Sequence, residues 1–382
     1  MIPLSIPNIC GNEWKYVKDC LDSGWISSAG DYVNKFEDVV KNYTGAKYAV
    51  ACMNGTVGLQ VSLEIAGVTK NDIVIAPNLT FVATLNSISY TGAEIIVVDV
   101  NEENWQINVS LIEEWLKKNT ITSISNGKPV TIEKNSKKKI SAILPVYVLG
   151  GFVDIEYLKK ISSDYGITII EDSTEAMGSF KNNKHAGTFG LAGVISFNGN
   201  KIISTGGGGI ILTDNQKFAE RAKHITTTSK TDPLDYFHDE VAYNYRLVNI
   251  LAAIGLAQVE KFEHILNRKK EIDCIYRQEL EGVGDIKFQE NDPNTDPNCW
   301  LFTFRTKRMR DLLKYMTLKK IQSRPFWTPM NNLPMYKHIN YINNDDISNK
   351  LFSQCISIPS SSNLTIEDQH KVIKTIKNFY NL

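Results

Sequence analysis

Val194-Ile195-Ser196-Phe197-Asn198-Gly199-Asn200-Lys201, followed by Ile202 to Thr205 and four glycines, Gly206 to Gly209, is the stretch on which the fold and the chemistry of this chain turn. An apolar run delivers a lysine to the mouth of a glycine-rich turn, and a second apolar run, Ile210 to Leu212, leaves it. A solvated lysine is a point charge on a flexible stem. One whose pKa is lowered by burial or a nearby cation becomes a nucleophilic amine able to form a Schiff base. The glycines allow positive φ and close approach of the backbone to a ligand. In isolation such a lysine is more often solvated and a glycine run is often a plain loop, so the case turns on what the rest of the chain supplies.

Outward from this stretch, strand-like and helix-like segments alternate from about residue 35 to 213. Strands are expected at 48–53, 73–76, 94–99, 140–146, 167–171, 193–197 and 209–213. Several are near-continuous apolar runs, as in sheets covered on both faces. Helical patterns fall between them, for example at 57–66, 109–117 and 155–165. The alternation predicts an α/β fold with a mostly parallel seven-stranded sheet between helices. Ligands of such sheets bind in the loops after the carboxyl ends of strands.

Four of those loops carry complementary chemistry. Asn54-Gly55-Thr56 opens a helix, where backbone N–H groups and a hydroxyl make an anion site; a plain N-cap threonine is the competing reading. Pro77-Asn78-Leu79-Thr80-Phe81 offers a ring to stack on an aromatic ligand, although such a phenylalanine is more often core. Glu171-Asp172-Ser173-Thr174-Glu175 ends an apolar strand with acids; Asp172 can pair with a protonated ring nitrogen or merely cap a helix. The opening stretch adds Ser196 as a further phosphate donor and Lys201 as the amine. An anion cradle, a stacking ring, an acid for a pyridinium and a Schiff-base lysine make a complete pyridoxal 5'-phosphate site, in which the protein orients the cofactor and tunes its ring.

The flanks are plainer. Residues 1–30 read as an extended arm, an amphipathic helix at about 12–23 and the loop Gly24-Trp25-Ile26-Ser27-Ser28-Ala29-Gly30, which lines a cleft or forms a surface turn. The polar, lysine-rich segment 119–139 reads as a solvated hairpin or loop. A single long helix is expected at 250–281, bridging two domains or a subunit interface. A smaller α+β segment follows, with a strand at 300–305 and a closing helix at 365–380 started by Thr365. The expected domains are the arm and helix at 1–30, a large cofactor-binding domain at 31–249, and a linking helix with a small C-terminal domain at 250–382.

Composition excludes several classes. The 382 residues carry 42 basic and 42 acidic side chains, so nothing in the charge balance favours nucleic acid or anionic membrane. The six cysteines are scattered, without CxxC or a His/Cys cluster. They read as reduced, mostly buried thiols of a cytoplasmic protein, and no metal site is suggested. The first residues lack the pattern of a signal peptide, and no apolar run approaches the length of a membrane span.

The motifs together resemble the sugar-nucleotide aminotransferases of the DegT/StrS type, which have the fold-type I aminotransferase architecture. The likeness runs through "GWISSAG", "NGTVGL", "TFVATLNSI", "EDSTEAMGS", "SFNGNKIISTGGGG", "YNYRLVNILAAIG" and "SRPFWTPMNNLPMY". Within the family it most resembles the branch that aminates C4 of UDP-linked 4-keto-6-deoxy-2-acetamido sugars, with C3-aminating and dTDP- or GDP-sugar enzymes, or a regulatory homologue, as alternatives. The resemblance implies that Lys201 is the Schiff-base lysine and proton shuttle, that Asp172 holds the pyridinium and that Phe81 stacks on the ring. Gly55, Thr56 and Ser196 would hold the phosphate. Glu175 and Asn198 would lie near the cofactor, where many members have His or Gln and His respectively. Asn244 would reach the phosphate of a neighbouring subunit, giving a homodimer with shared active sites. Trp25, Ser27, Arg324 and Trp327 would line the sugar-nucleotide cleft, and Tyr147, where a histidine is usual, would stand on the substrate side. The amino donor would be glutamate.

Overall fold

The apolar runs separated by helices form one sheet. In the structure, a computed structural model describing residues 1–232 and 234–381, the strands are β1 (Tyr48–Cys52), β2 (Asp72–Pro77), β3 (Glu94–Val98), β4 (Lys139–Ile143), β5 (Thr168–Asp172), β6 (Ala192–Ser196) and β7 (Gly209–Thr213). They lie in the order β1-β7-β6-β5-β4-β2-β3. From β6 to β3 every neighbour is parallel, while β7 runs antiparallel to both β6 and β1. A parallel partner needs a crossover, usually helical. The link from β6 to β7 holds the glycine-rich turn and no helix, so β7 comes back reversed. Lys201 sits in that link.

Helices cover both faces. They include α1 (Glu13–Ser23), α2 (Asp31–Thr44), α3 (Gly55–Ile65), α4 (Ala83–Thr91), α5 (Val109–Asn119), α6 (Ile155–Tyr165) and α7 (Gln216–Thr226). Local chemistry starts several of them: Asn54, Asn108, Asp154 and Asn215 each accept a hydrogen bond from the main-chain N–H three residues on. The closing helix Ile366–Phe379 is capped by Thr365, as its sequence predicts.

Other parts depart from expectation. The long helix is two, α8 (Asn249–Glu260) and α9 (Phe262–Leu280), broken at Lys261. The second helix spans two cores, its first turns (Phe262, Ile265 and Leu266) sharing the cluster of α8. Ala252, Ala253 and Leu256 of α8 are buried in the cluster that holds Phe36 of α2. Ile272, Tyr276 and Leu280 of α9 join Phe302, Phe304 and Ile373 in a second, smaller core. A four-stranded sheet, Lys287–Phe288, Thr303–Arg305, Cys355–Ser357 and Arg324–Pro325, lies beside it. Thus α8, placed with the C-terminal unit by its sequence, packs with the large one. Asn340–Ile342 likewise returns to pair parallel with β3. The extended arm goes the other way: Ile2 is buried in the small core and exchanges main-chain hydrogen bonds with Lys320 and Gln322. Residues 119–139 hold a hairpin, Thr120–Ser125 with Lys128–Glu133, added antiparallel at β4. The cysteines are free; three of the six are buried, fewer than expected. No helix of the described residues is long and apolar enough to cross a membrane.

A buried ion pair ties α2 to the sheet edge and to the approach to α8. Arg246 pairs with Glu37 and donates to the Ala51 carbonyl at 3.2 Å, while Ala51 N–H donates to Glu37 Oε1 at 2.7 Å. Removing one partner of a buried pair leaves an uncompensated charge. Glu37→Ala is therefore expected to lower unfolding free energy by roughly 3–5 kcal/mol in urea denaturation, against a much smaller loss for the exposed Asp22→Ala.

Candidate active site

The carboxyl ends of β1, β2, β5 and β6 open on one cavity of about 290 Å³, and Lys201, Asp172 and Glu175 are the ionisable side chains that line it. Asp172 ends β5, buried among apolar strands. Thr84, from α4, donates to its Oδ2 at 2.8 Å, and the Thr174 hydroxyl donates to Oδ1 at 2.7 Å. Burial raises the carboxyl's pKa, with those hydroxyls and Lys201 opposing. Glu175, a turn further on, receives the Leu149 N–H at 2.8 Å. Burial pushes it up to about 7, with Lys201 the main opposing influence.

Lys201 leaves the link after β6 with its side chain 13% exposed. Its Nζ lies 3.8 Å from Glu175 Oε1 and 4.2 Å from the centre of the Trp300 ring. Burial lowers its pKa, and Glu175 and Asp172 restrain the fall. The amine is thus placed where a larger neutral fraction is available than on a surface lysine.

Opposite the amine, the N-terminus of α3 meets the cavity. Asn54 caps the helix through Val57 N–H at 3.0 Å, which leaves the Thr56 hydroxyl uncommitted to capping. Gly55 faces Thr174 and Ser196 so closely that a Cβ would lie 2.8 Å from Thr174 Cγ2, so only glycine keeps this cradle open. The Ser196 hydroxyl and Asn198 stand on the same wall, and Phe81, 53% exposed, and Trp327 complete the lining.

Five expected residues lie elsewhere. Tyr147 is a correction: its ring is fully buried against Phe152, its hydroxyl donates to Glu171, and it lines no part of the cavity. Glu171 also accepts the N–H groups of Gly187, Phe189 and Gly190. The tyrosine therefore helps tie a loop to β5 from within the core. Trp25 and Ser27 are exposed on the loop before α2; Trp25 borders a separate surface cavity with Asp31 and Lys35. Arg324 is exposed at the small sheet. Asn244 is exposed on the segment preceding α8, bridged to Thr227. Sequence reasoning missed Thr84, Thr174 and Trp300. The two threonines stood inside quoted motifs, whereas no local signal joins Trp300 to a lysine so distant in the chain.

The residues present suit pyridoxal phosphate: an amine of lowered pKa, a buried acid supported by two hydroxyls, a half-exposed ring and a glycine-opened helix N-terminus share one small cavity. Fold and site together define a pyridoxal-phosphate-dependent aminotransferase. The chain belongs to the DegT/DnrJ/EryC1/StrS aminotransferase family, whose profile it matches over residues 7–377. It is 33% identical to the GDP-perosamine synthase of Vibrio cholerae, with all of both chains covered. To the GDP-perosamine synthase of Escherichia coli O157:H7 it is 34% identical, covering 99% of this chain and 98% of that one. A DegT DnrJ EryC1 StrS aminotransferase from Brucella abortus shares the fold at a TM-score of 0.88 and 24% identity, covering 97% of this chain and 96% of that one. The relatives give no support to the expected UDP-linked 2-acetamido substrate.

Glu175 sets a pH dependence. Its pKa is higher folded than unfolded, so its contribution to stability is full below the unfolded value near 4.5 and is lost as pH rises through about 7. In the cofactor-free protein, the melting temperature of Glu175→Gln should rise relative to wild type between pH 5 and pH 8. The gain should correspond to roughly 2–3 kcal/mol at most; equal pH profiles for the two proteins would contradict this account of the site.

Proposed function

We propose that this protein transfers an amino group from glutamate to the C4 keto carbon of a GDP-linked 4-keto-6-deoxy sugar, supplying an amino sugar for cell-surface glycan assembly. The observation that carries the chemistry is the buried Lys201 amine sharing a cavity with Asp172 and the α3 N-terminus. The choice of GDP and C4 is supported by the full-length likeness to two GDP-perosamine synthases. A cytoplasmic location fits an enzyme acting on nucleotide sugars.

In this reading Gly55, Thr56 and Ser196 hold the cofactor phosphate, with the positive end of α3 behind them. Asp172 would hold the ring nitrogen protonated, and Phe81 would stack on the ring. Pyridoxal phosphate, when bound, supplies the electron sink for the carbanion. Lys201 Nζ would hold the cofactor through its amine and would act as the general base and acid that moves the proton. Glu175, beside that amine, balances its charge. Trp327, also on the cavity wall, would meet the substrate.

The partner we propose is a second copy of the chain. Trp25, Ile26 and Val241 are 59%, 48% and 97% exposed. Asn249 N–H donates to the Ser27 carbonyl at 2.7 Å, fixing the Trp25 loop to the start of α8. In a dimer these side chains would be covered, and Asn244 and the Trp25 loop would complete the neighbour's site.

Three experiments test these readings. Incubating the purified protein with glutamate and GDP-, dTDP- or UDP-linked 4-keto-6-deoxy sugars should give amination of the GDP sugar, read by mass; turnover of the UDP 2-acetamido sugar alone would overturn the substrate choice. Lys201→Ala should lose roughly a hundred- to ten-thousand-fold in turnover, with pyridoxal phosphate still bound noncovalently. Mixing Lys201→Ala with Asn244→Ala chains should restore part of the activity that each lacks, because one site of the mixed dimer keeps both residues. No recovery after verified subunit exchange would exclude a shared site.

A further inference from the structure

We propose that the Trp300 indole holds the protonated form of Lys201 in its working position, and that the buried Lys269 amine positions Trp300 for this task. The inference rests on Lys201 being the reactive amine. Trp300 is 2% exposed, and its Nε1 donates to the carbonyl of Asn200, the residue before Lys201, at 2.7 Å. The same ring turns its face to Lys201 Nζ at 4.2 Å. One side chain thus fixes the main chain that carries the lysine and offers its electron-rich face to the ammonium. Such an attraction is strongest for tryptophan and for a desolvated cation. It acts on the charged amine and not on the neutral one. It therefore joins Asp172 and Glu175, the two carboxyl groups on the cavity wall, in favouring the proton-loaded lysine against burial.

Lys269 supplies the second observation. It lies on α9, 2% exposed, and donates to the main-chain carbonyls of Trp300 and Ser360. Asp273 and Cys299 are the ionisable groups facing it, and the Asp273 carboxylate is taken by Arg277 Nε at 2.7 Å. Burial holds the amine down to about 7, yet it donates hydrogen bonds in either protonation state. Burying an amine without a carboxylate to receive it is costly. What it secures here is the backbone at Trp300, pinned from the small core while the ring reaches the cavity.

The test is the titration of Lys201 in the full-length chain freed of cofactor. Trace acetylation by acetic anhydride is followed against pH, and the Lys201 peptide is quantified by mass spectrometry. Wild type and Trp300→Phe should titrate within a few tenths of a pH unit of each other, because both present an aromatic face, whereas Trp300→Leu should titrate about one unit lower. Lys269→Met should shift in the same direction, and adding Trp300→Leu to it should bring little further change. A Trp300→Leu midpoint equal to or above wild type would show that the indole merely excludes water, overturning the proposal. A wild-type midpoint in Lys269→Met would remove Lys269 from it. Circular dichroism checks each fold; if Lys269→Met does not fold, Lys269→Arg takes its place in the same titration. If the variants show these shifts while the wild-type chain takes up no pyridoxal phosphate, the proposed function is refuted and the hold of the indole on the Lys201 ammonium still stands.

Discussion

A lysine amine and two carboxyl groups are held out of water in one small cavity, and the rest of the structure is arranged so that this is tolerable. Each group alone would be driven to its neutral form by desolvation. Together they restrain one another: Lys201 opposes the rise of both acids, and both acids oppose the fall of Lys201. The hydroxyls of Thr84 and Thr174 each donate to one oxygen of Asp172, and the Leu149 N–H holds Glu175. The result is a cluster whose acids are held above, and whose amine is held below, their ordinary values.

Topology brings them together. Parallel strands β4, β5 and β6 all deliver their carboxyl ends to the same edge, so β5 ends in Asp172 and β6 leads to Lys201 without any long-range design beyond the sheet itself. The reversal at β7 keeps the lysine link short and tight. The Phe197 N–H donates to the Gly208 carbonyl at 2.9 Å, and Thr205 N–H to the Phe197 carbonyl at 2.9 Å, closing the base of that link. Small residues do the rest: a side chain at Gly55 would collide with Thr174, filling the space between the helix N-terminus and the amine.

Much of this was legible in the residues because burial on both faces of a parallel sheet leaves an unbroken apolar signature. All seven expected strands are present within a few residues of their expected ends. The break at Lys261 was hidden because both halves of 249–280 are good helix, and the side chains on either side of it share one core. Asn340–Ile342 was hidden for the opposite reason: three residues are too few to show a period, and the strand exists because β3 offers an edge. Tyr147 was misplaced because its motif sits at a strand end beside Asp172. Its backbone does lie there, donating to the Asp172 carbonyl at 3.1 Å, but the ring points into the core toward Glu171. Position along a strand predicts the level of a residue and not its face.

Cofactor and substrate are written into the sequence in different ways. Groups proposed to meet the cofactor come from four short motifs at adjacent strand ends, so each motif is nearly self-sufficient. The cavity of about 290 Å³ lies at the lower end of the range for small-molecule sites, with little room left for a nucleotide once pyridoxal phosphate is seated. On the proposed reading, the sugar and its nucleotide must extend outward past Trp327, toward surfaces that this chain leaves exposed. Selectivity among GDP, dTDP and UDP then depends on how exposed loops such as that of Trp25 and Ser27 settle against a neighbour. In the proposed dimer, contacts of that kind would be spread over two copies of the chain and carry no contiguous motif. That is why the amine and its acid could be read from the residues, while the choice of nucleotide rests on the resemblance of whole chains.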